Sequence, residues 1–503
     1  MGAKFSINEI ASATGGVLGG SVNIAGFEGA ASLNARLSGI STDTRTLRPG
    51  DAFFALKGEN HDAHDHLDEA VAAGAAVLVV SDADKAPAGY EGAVLVVEDT
   101  LYAYQELAAY YREKLDPLVI AVTGSVGKTT LKDMIACVLE GKARVCKTRG
   151  NLNNQIGLPR TILEAGEDVE IFVLEMGMAG AGEIRRLVEI ARPNIAAITN
   201  IGFSHRENFD TDDGILMAKF EIASLLGAGD ALVIDAGGNK ALVKLAEEGA
   251  DEKGYRLLRI AESGTTGEGA PDCDYMTTPA RIDMADTAVS LFEISDRKTG
   301  KATPFAIPLP GAYAGISAAL AVAVCMQAGA GVSPEGAAEA LSRLERTPHR
   351  LEPVMKNGVL IIDDTYNSSP DSAKSGLKYL ENVPAKRRFA ALAGMNELGS
   401  ASDALHFEIG KAAVAAGADF VYTYGAKALR IADGAEAAAA ETGAVGAGNI
   451  AGAKVEVKRF GENEKAGLIE RLYANVKAGD AVYVKGSRTM KMEEVVLALM
   501  EKL

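Results

Sequence analysis

Eight residues, Thr123-Gly124-Ser125-Val126-Gly127-Lys128-Thr129-Thr130, carry the clearest chemistry in this chain. They follow the apolar run Leu118-Val119-Ile120-Ala121-Val122, so the order reads strand, glycine-rich turn, helix. Glycines let backbone N–H groups close around phosphate oxygens, where a larger residue would stand off. The following helix turns its positive end toward the same anion. In that arrangement Lys128 reaches the outer phosphates of a nucleotide and the Thr129 hydroxyl holds magnesium. The usual pattern places another glycine five residues before Gly127, and here that position is Val122. The shorter T-G-x-x-G-K-T form predicts an ATP user that is not a generic Walker ATPase.

Other candidates sit at the ends of apolar runs, because open α/β sheets bind ligands outside the carboxyl ends of their strands. Glu175 ends Ile171-Phe172-Val173-Leu174, where a carboxylate can reach a nucleotide-bound magnesium or simply face solvent. Asn200 and His205 follow Ile195–Thr199 and fall on the same sheet edge; a single histidine there is more often structural than ligating. Lys219, in Leu216-Met217-Ala218-Lys219-Phe220-Glu221, reads on local pattern as a solvated helix charge. The stretch His61-Asp62-Ala63-His64-Asp65-His66 has no Cys or Glu at a metal-ligand spacing, so ligand contact is favoured over a metal site.

These groups need rigid elements behind them. Strand-like runs alternate with helical ones, which predicts α/β domains with largely parallel sheets. The expected architecture is α/β with three domains: a central P-loop sheet domain between a smaller N-terminal α/β domain and a C-terminal Rossmann-like domain. Residues 1–116 hold Ala52–Leu56, Ala76–Val80, Ala93–Val97 and a helix over Leu101–Leu115, closed by Asp116-Pro117 as a hinge. Residues 117–346 hold strands Leu118–Val122, Ile171–Glu175, Ile195–Thr199 and Ala231–Asp235, with Ser263–Pro279 as an exposed excursion. Residues 347–503 hold Val359–Asp363, Phe389–Ala393, Phe420–Tyr424 and Ala481–Lys485, with Gly434–Ala453 as loose helix and loop.

Composition bounds the partners. A chain of 503 residues is too long for one core, and 48% hydrophobic residues exclude a disordered one. A net charge of −17 argues against nucleic acid. Cys137, Cys146, Cys273 and Cys325 lack paired spacing, as expected of reduced cytoplasmic thiols. Met1–Ile10 has no apolar signal core. Ala302–Ser333 carries no charge, but its prolines and its Ala and Gly content predict a buried helix rather than a membrane span. A soluble, cytoplasmic monomer is expected.

Across nearly its whole length the chain resembles the Mur ligases. The N-terminal matches are Ser41-Thr42-Asp43-Thr44-Arg45, Pro49–Gly58 and His61-Asp62-Ala63-His64; the central ones are the shortened phosphate loop, Asn151-Leu152-Asn153-Asn154-Gln155-Ile156-Gly157 and Glu175-Met176-Gly177 with Gly182-Glu183-Ile184. Asp364-Thr365-Tyr366-Asn367-Ser368-Ser369-Pro370, Met395-Asn396-Glu397-Leu398-Gly399 and Lys485-Gly486-Ser487-Arg488 favour the branch that adds a D-alanyl-D-alanine dipeptide. The resemblance implies that Ser41, Thr42, Asp43, Thr44, Arg45, Lys57, Gly58, Asp62, His64, Asn151, Asn153 and Asn154 bind the UDP-MurNAc-tripeptide. It assigns ATP to Gly124, Ser125, Val126, Gly127, Lys128, Thr129, Thr130, Arg350, Asp364 and Asn367. Lys128, His205, Lys219 and Glu175 are the implied catalytic residues. Two magnesium ions are implied, on Thr129, Glu175, His205 and a carbamylated Lys219.

The chain departs from the family pattern at Tyr313, Ala314 and Ser317, after Gly311-Ala312, at Ser369, and at Gly394, where an aspartate is usual. The first set bears on the adenine side, and Gly394 on the incoming dipeptide. The implied reaction is ATP-dependent amide formation through an acyl phosphate. Rival readings are a Mur-like ligase with another carboxylate or amine, and a regulatory nucleotide-binding protein.

Overall fold

The computed structural model describes residues 2–19, 33–34, 36–58, 61–202, 206–209, 211–264, 272–283, 288–311, 313–442 and 455–503. Two compact units emerge: Met1–Ala121 with Glu140–Gly177 and Gly182–Asn194, and Val122–Leu139 with Met178–Ala181 and Ile195–Leu503.

The first unit opens with a five-stranded sheet of β1 (Val17–Leu18), β2 (Ile40–Ser41), β3 (Ala52–Phe54), β4 (Val77–Val80) and β5 (Ala93–Val96), in the order β1-β5-β4-β3-β2. Strands β2 to β5 run parallel and β1 closes one edge antiparallel to β5. Phe53, Leu67, Leu78 and Val80 form part of its core. The helix Thr100–Leu115 starts where the Asp99 side chain accepts from Tyr102 N at 2.8 Å. It stops at Asp116, in the left-handed conformation (φ 47°) just before Pro117, as the sequence implies. Strand β6 (Leu118–Thr123) follows at once and straddles the two units. Also in the first unit, β7 (Val145–Lys147) pairs in parallel with β8 (Ile171–Glu175), and Leu118 N donates to Glu170 O.

In the second unit, β9 (Ile195–Ile198), β10 (Ala231–Asp235), β11 (Arg256–Glu262) and β12 (Tyr275–Thr277) are parallel neighbours. Three antiparallel strands extend them: β13 (Arg281–Asp283), β14 (Val289–Asp296) and β15 (Ala302–Ile307). For its latter part this extension corrects the reading of Ser263–Pro279 as an exposed excursion, since Tyr275 and Thr277 are buried within β12; residues 265–271 lie outside the described residues. The helix Ala314–Gln327 has twelve of its fourteen residues buried, which fulfils the expectation for the uncharged stretch. Small residues let neighbours close in: a Cβ on Gly315 would lie 2.8 Å from Thr277 Oγ1. Among the described residues no helix is long and apolar enough to cross a membrane.

The C-terminal sheet comprises β16 (Glu352–Lys356), β17 (Val359–Asp364), β18 (Arg388–Ala393), β19 (Phe420–Tyr424), β20 (Glu456–Phe460) and β21 (Ala481–Lys485), ordered β16-β17-β21-β18-β19-β20. All neighbours are parallel except β16, so the domain is doubly wound as expected. Leu429–Thr442 is a continuous helix, which supplies the helical part of the helix and loop expected from Gly434; residues 443–453 of that segment lie outside the described residues. Gly434 is tolerated because a Cβ there would meet Phe407 O at 1.9 Å, and one on Gly410 would meet Ile431 O. The two helices pack backbone to backbone at that crossing.

One strand end makes a stability prediction. The Asp235 carboxylate closes β10, accepts from Gly237 N at 2.9 Å, and is pushed up to about 6 by burial. Because its folded-state pKa lies above the ordinary value of 3.8, the folded chain holds the proton more tightly, and stability falls as pH rises from about 4 to about 6. Asp235→Asn should therefore melt higher than the parent at pH 7, with an advantage of about 2 kcal/mol that shrinks toward pH 4.5. Melting curves of both proteins across that range check it; a pH-independent gap contradicts it.

Candidate active site

The phosphate loop forms where expected, between β6 and the helix Lys128–Leu139. Gly124 (φ 143°) and Gly127 (φ 86°) adopt backbone conformations that L side chains avoid. A Cβ on Gly124 would stand 1.9 Å from Thr199 Oγ1 and 3.1 Å from Asn200 N, so this glycine is sterically obligatory. Lys128 Nζ donates to Gly124 O at 2.7 Å, arching over the loop it belongs to.

Asn200 builds the loop from beneath. Its Oδ1 accepts from Ser125 N at 3.2 Å and Val126 N at 3.0 Å, and its backbone carbonyl accepts from Ser125 N. Thr199 Oγ1 donates to Val126 O at 2.6 Å, and Gly202 N donates to Ser125 Oγ at 2.7 Å. The strand-end position of Asn200 was visible in the sequence, but not its partner some 75 residues away.

Lys219 corrects the solvated reading of its helix. It lies on the helix Asp212–Phe220 with only 1% of its surface exposed. Burial, and then the nearby Lys128 charge, hold its ammonium well below the ordinary lysine range. A lysine so placed carries a nucleophilic neutral amine more often than a surface lysine does. His205 lies outside the described residues.

The C-terminal domain supplies a second set of groups. Arg350 Nη2 donates to Thr129 Oγ1 at 3.2 Å, and its guanidinium lies 4.2 Å above the Tyr366 ring. Its Nε is buried with no hydrogen-bond partner among the described residues, an orphan donor beside the phosphate-loop helix. His349 (φ 63°) and Leu351 (φ 45°) flank it in the left-handed region, and this strain fixes where Arg350 points. The turn is pinned by His349 Nδ1 on Asp363 at 2.8 Å and by His349 N donating to Glu352. Asp364 is held by Lys485 Nζ at 2.6 Å and Tyr483 OH at 2.9 Å, while Lys485 also donates to the Asn367 carbonyl. Asp364 and Lys485 are thus a buried pair that also holds the carbonyl of the exposed Asn367, and the motif contained Lys485 without revealing its partner. Tyr313 heads the helix Ala314–Gln327 half exposed, Ser317 is buried within it, and Ala312 lies outside the described residues.

In the first unit, Glu175 is buried at the end of β8 and accepts from Asn153 Nδ2 at 2.8 Å. Asn154 Oδ1 caps the next helix through Ile156 N and Gly157 N, and Asn151 shares that turn. Asp43 is chelated by Arg45 (2.9 and 2.7 Å), which lowers its carboxyl to about 2. The Arg160 charge, from the helix that Asn154 caps, adds a smaller lowering of the Asp43 carboxyl. Ser41 Oγ donates to Asp43 O, and Thr44 Oγ1 to Glu69, leaving Thr42 between them. Lys57 pairs with Asp62 as an isolated bridge, and Gly58 N donates to His61 O. His64 is buried: its Nε2 accepts from Ser81 N at 3.0 Å, so Nδ1 carries the proton and donates to Asp62 at 2.6 Å. Both ring nitrogens are engaged, which makes His64 a prop for Asp62.

Comparison with known proteins matches residues 36–112 to "Mur ligase family, catalytic domain", 122–325 to "Mur ligase middle domain" and 349–488 to "Mur ligase, glutamate ligase domain". The UDP-N-acetylmuramoyl-tripeptide–D-alanyl-D-alanine ligase of Bacillus subtilis is 36% identical, covering 92% of this chain and 93% of that protein. The Escherichia coli protein of the same name is 34% identical over 92% and 94%. Among solved structures, MurF from Acinetobacter baumannii superposes with a TM-score of 0.83 at 28% identity, covering 99% of each chain. MurF ligase from Thermotoga maritima in complex with ADP gives 0.77 at 26%, covering 92% and 97%.

Proposed function

The chain belongs to the Mur ligase family, and we infer from that membership and from its site that it is an ATP-dependent ligase joining D-alanyl-D-alanine to the terminal carboxylate of UDP-MurNAc-tripeptide. The observation that carries this reading is the nucleotide-binding frame: a phosphate loop with Lys128 over it and Arg350 brought to Thr129 with an unpaired Nε. The reaction belongs to cytoplasmic peptidoglycan precursor synthesis.

Carboxylates are poor electrophiles, so the tripeptide carboxylate first attacks the γ-phosphorus of ATP, and ADP leaves. The dipeptide amine then attacks the acyl phosphate carbon, and phosphate departs with the proton lost to a base or water. Lys128 and Arg350 offset the negative charge that gathers on the transferred phosphoryl group. In our reading Thr129, Glu175, His205 and Lys219 as a carbamate hold magnesium. Their donors are hard oxygens and an imidazole, and a carbamate supplies the anion an ammonium cannot; the orphan Arg350 Nε suits a nucleotide oxygen. Magnesium held by these residues would supply positive charge against the phosphate oxygens.

The residues 41–45, 57–64 and 151–154 carry the UDP-sugar peptide in this reading, with the qualification that His64 and Asn154 act through the groups they hold. Retention of Lys128, Glu175 and Lys219 argues against a purely regulatory role. Phosphate release should require UDP-MurNAc-tripeptide and D-alanyl-D-alanine together with ATP. Release with ATP alone would indicate a simple ATPase, and no release under any condition a binding module.

A further inference from the structure

The loops after β18, β19 and β21 lie side by side, because Ala393 is in register with Tyr424, and Leu392 with Lys485. Open parallel sheets bind ligands at this end. The three loops are locked to one another. Ser487 N donates to Gly394 O at 3.1 Å, Asn396 N to Ser487 Oγ at 2.9 Å, and Asn396 Nδ2 to Thr489 Oγ1 at 3.0 Å. From behind, the fully buried His406 accepts from Met395 N at 2.9 Å and donates from Nδ1 to Ser402 O.

A cation reaches into this frame from the loop after β19. Lys427 is exposed and donates a single hydrogen bond, from Nζ to Asn396 Oδ1 at 3.0 Å. Among the described residues it forms no ion pair, so two of its three N–H donors and its whole charge face outward. A Cβ on Gly394 would stand 3.0 Å from Lys427 Cβ, so the lysine chain lies across the bare glycine. Any side chain at 394 would force the lysine aside. Asn396, spanned between Thr489 and Lys427, sets where the ammonium ends.

We propose that Lys427, positioned by Asn396 and by the missing side chain at Gly394, binds the C-terminal carboxylate of the incoming dipeptide. This rests on the functional reading above, in which the acceptor is a dipeptide with one free carboxylate, and on the resemblance that relates Gly394 to the incoming dipeptide. A fixed, unpaired ammonium at the ligand end of the sheet matches that carboxylate, and it leaves the dipeptide amine as the free end.

Steady-state kinetics of the full chain, of Lys427→Met and of Lys427→Arg, with D-alanyl-D-alanine and with its C-terminal amide, test it. Lys427→Met should raise KM for the dipeptide about tenfold or more, and leave KM for ATP and UDP-MurNAc-tripeptide within about twofold. Lys427→Arg should recover most of the loss. The amide should penalise the parent by a similar factor and cost Lys427→Met nothing further. An unchanged dipeptide KM, an equal amide penalty in both proteins, or a loss spread over all three substrates overturns the proposal. A parent enzyme that turns over without any need for the dipeptide overturns the functional reading instead.

Discussion

Lys128→Ala is expected to lose at least about a thousandfold of its substrate-dependent phosphate release, close to abolition. The ammonium sits at the head of the helix Lys128–Leu139 and is tethered 2.7 Å from Gly124 O, so it is already aimed over the loop that cradles the phosphates. As the γ-phosphoryl group passes to the tripeptide carboxylate, charge spreads over its equatorial oxygens. A positioned cation there stabilises the transition state more than bound ATP. The loss should therefore fall mainly on kcat, with a smaller change in nucleotide affinity. Loop collapse is the competing explanation, because Lys128 also braces Gly124. Lys128→Arg and a direct ADP-binding measurement separate the two: retained binding with lost turnover supports the electrostatic role. Near-normal turnover in the alanine variant would falsify it.

The parts of this machinery that the sequence made legible are those governed by local pattern. The parallel strands β4, β6, β8, β9 and β10 are apolar runs because both their faces are covered, and the phosphate loop follows one of them directly. The antiparallel extension was hidden. In β15, Pro304 looked like a break, yet among the described residues this strand pairs only with β14, and an edge strand has one side on which a missing N–H costs nothing. In Leu429–Thr442 the packing reason for Gly434 was hidden, because Phe407 O, which passes close to it, lies on another helix. The site divides in the same way. Lys128, Thr129 and Arg350 sit in recognisable motifs, whereas Asn200 beneath the loop and Lys427 beside Asn396 depend on contacts distant in sequence. Lys219 misled most: its neighbours in the chain are those of a surface helix, and only tertiary packing buries it.

That burial gives the second large effect. Lys219→Ala and Lys219→Arg should each lose at least about a hundredfold of activity, although arginine preserves the charge. The reason is the chemistry that the proposed magnesium site would require of the residue. A neutral amine adds to carbon dioxide, forming an N–C bond and releasing one proton, and the product is a carbamate anion fit to hold magnesium. An ammonium cannot react in this way, and a guanidinium stays protonated. Burial and the Lys128 charge both push the Lys219 pKa down, so the neutral amine is available at pH values where a surface lysine is almost wholly protonated. The sign follows: carbamylation fails as pH falls through that lowered pKa, and activity should become dependent on added bicarbonate there. The same shift destabilises the fold at low pH, because the unfolded chain binds the proton that the folded chain resists; stability from this group rises with pH up to the ordinary lysine value. With carbon dioxide removed, Lys219→Met should therefore melt higher than the parent, by a margin that widens as pH falls. Carbon-13 NMR of the parent in labelled bicarbonate should show a carbamate resonance that Lys219→Ala lacks. Lys128→Ala should weaken that resonance at a fixed pH near neutrality, because removing the neighbouring charge raises the Lys219 pKa. Full activity in Lys219→Arg, or no carbamate signal in an active parent, would leave Lys219 a buried structural lysine.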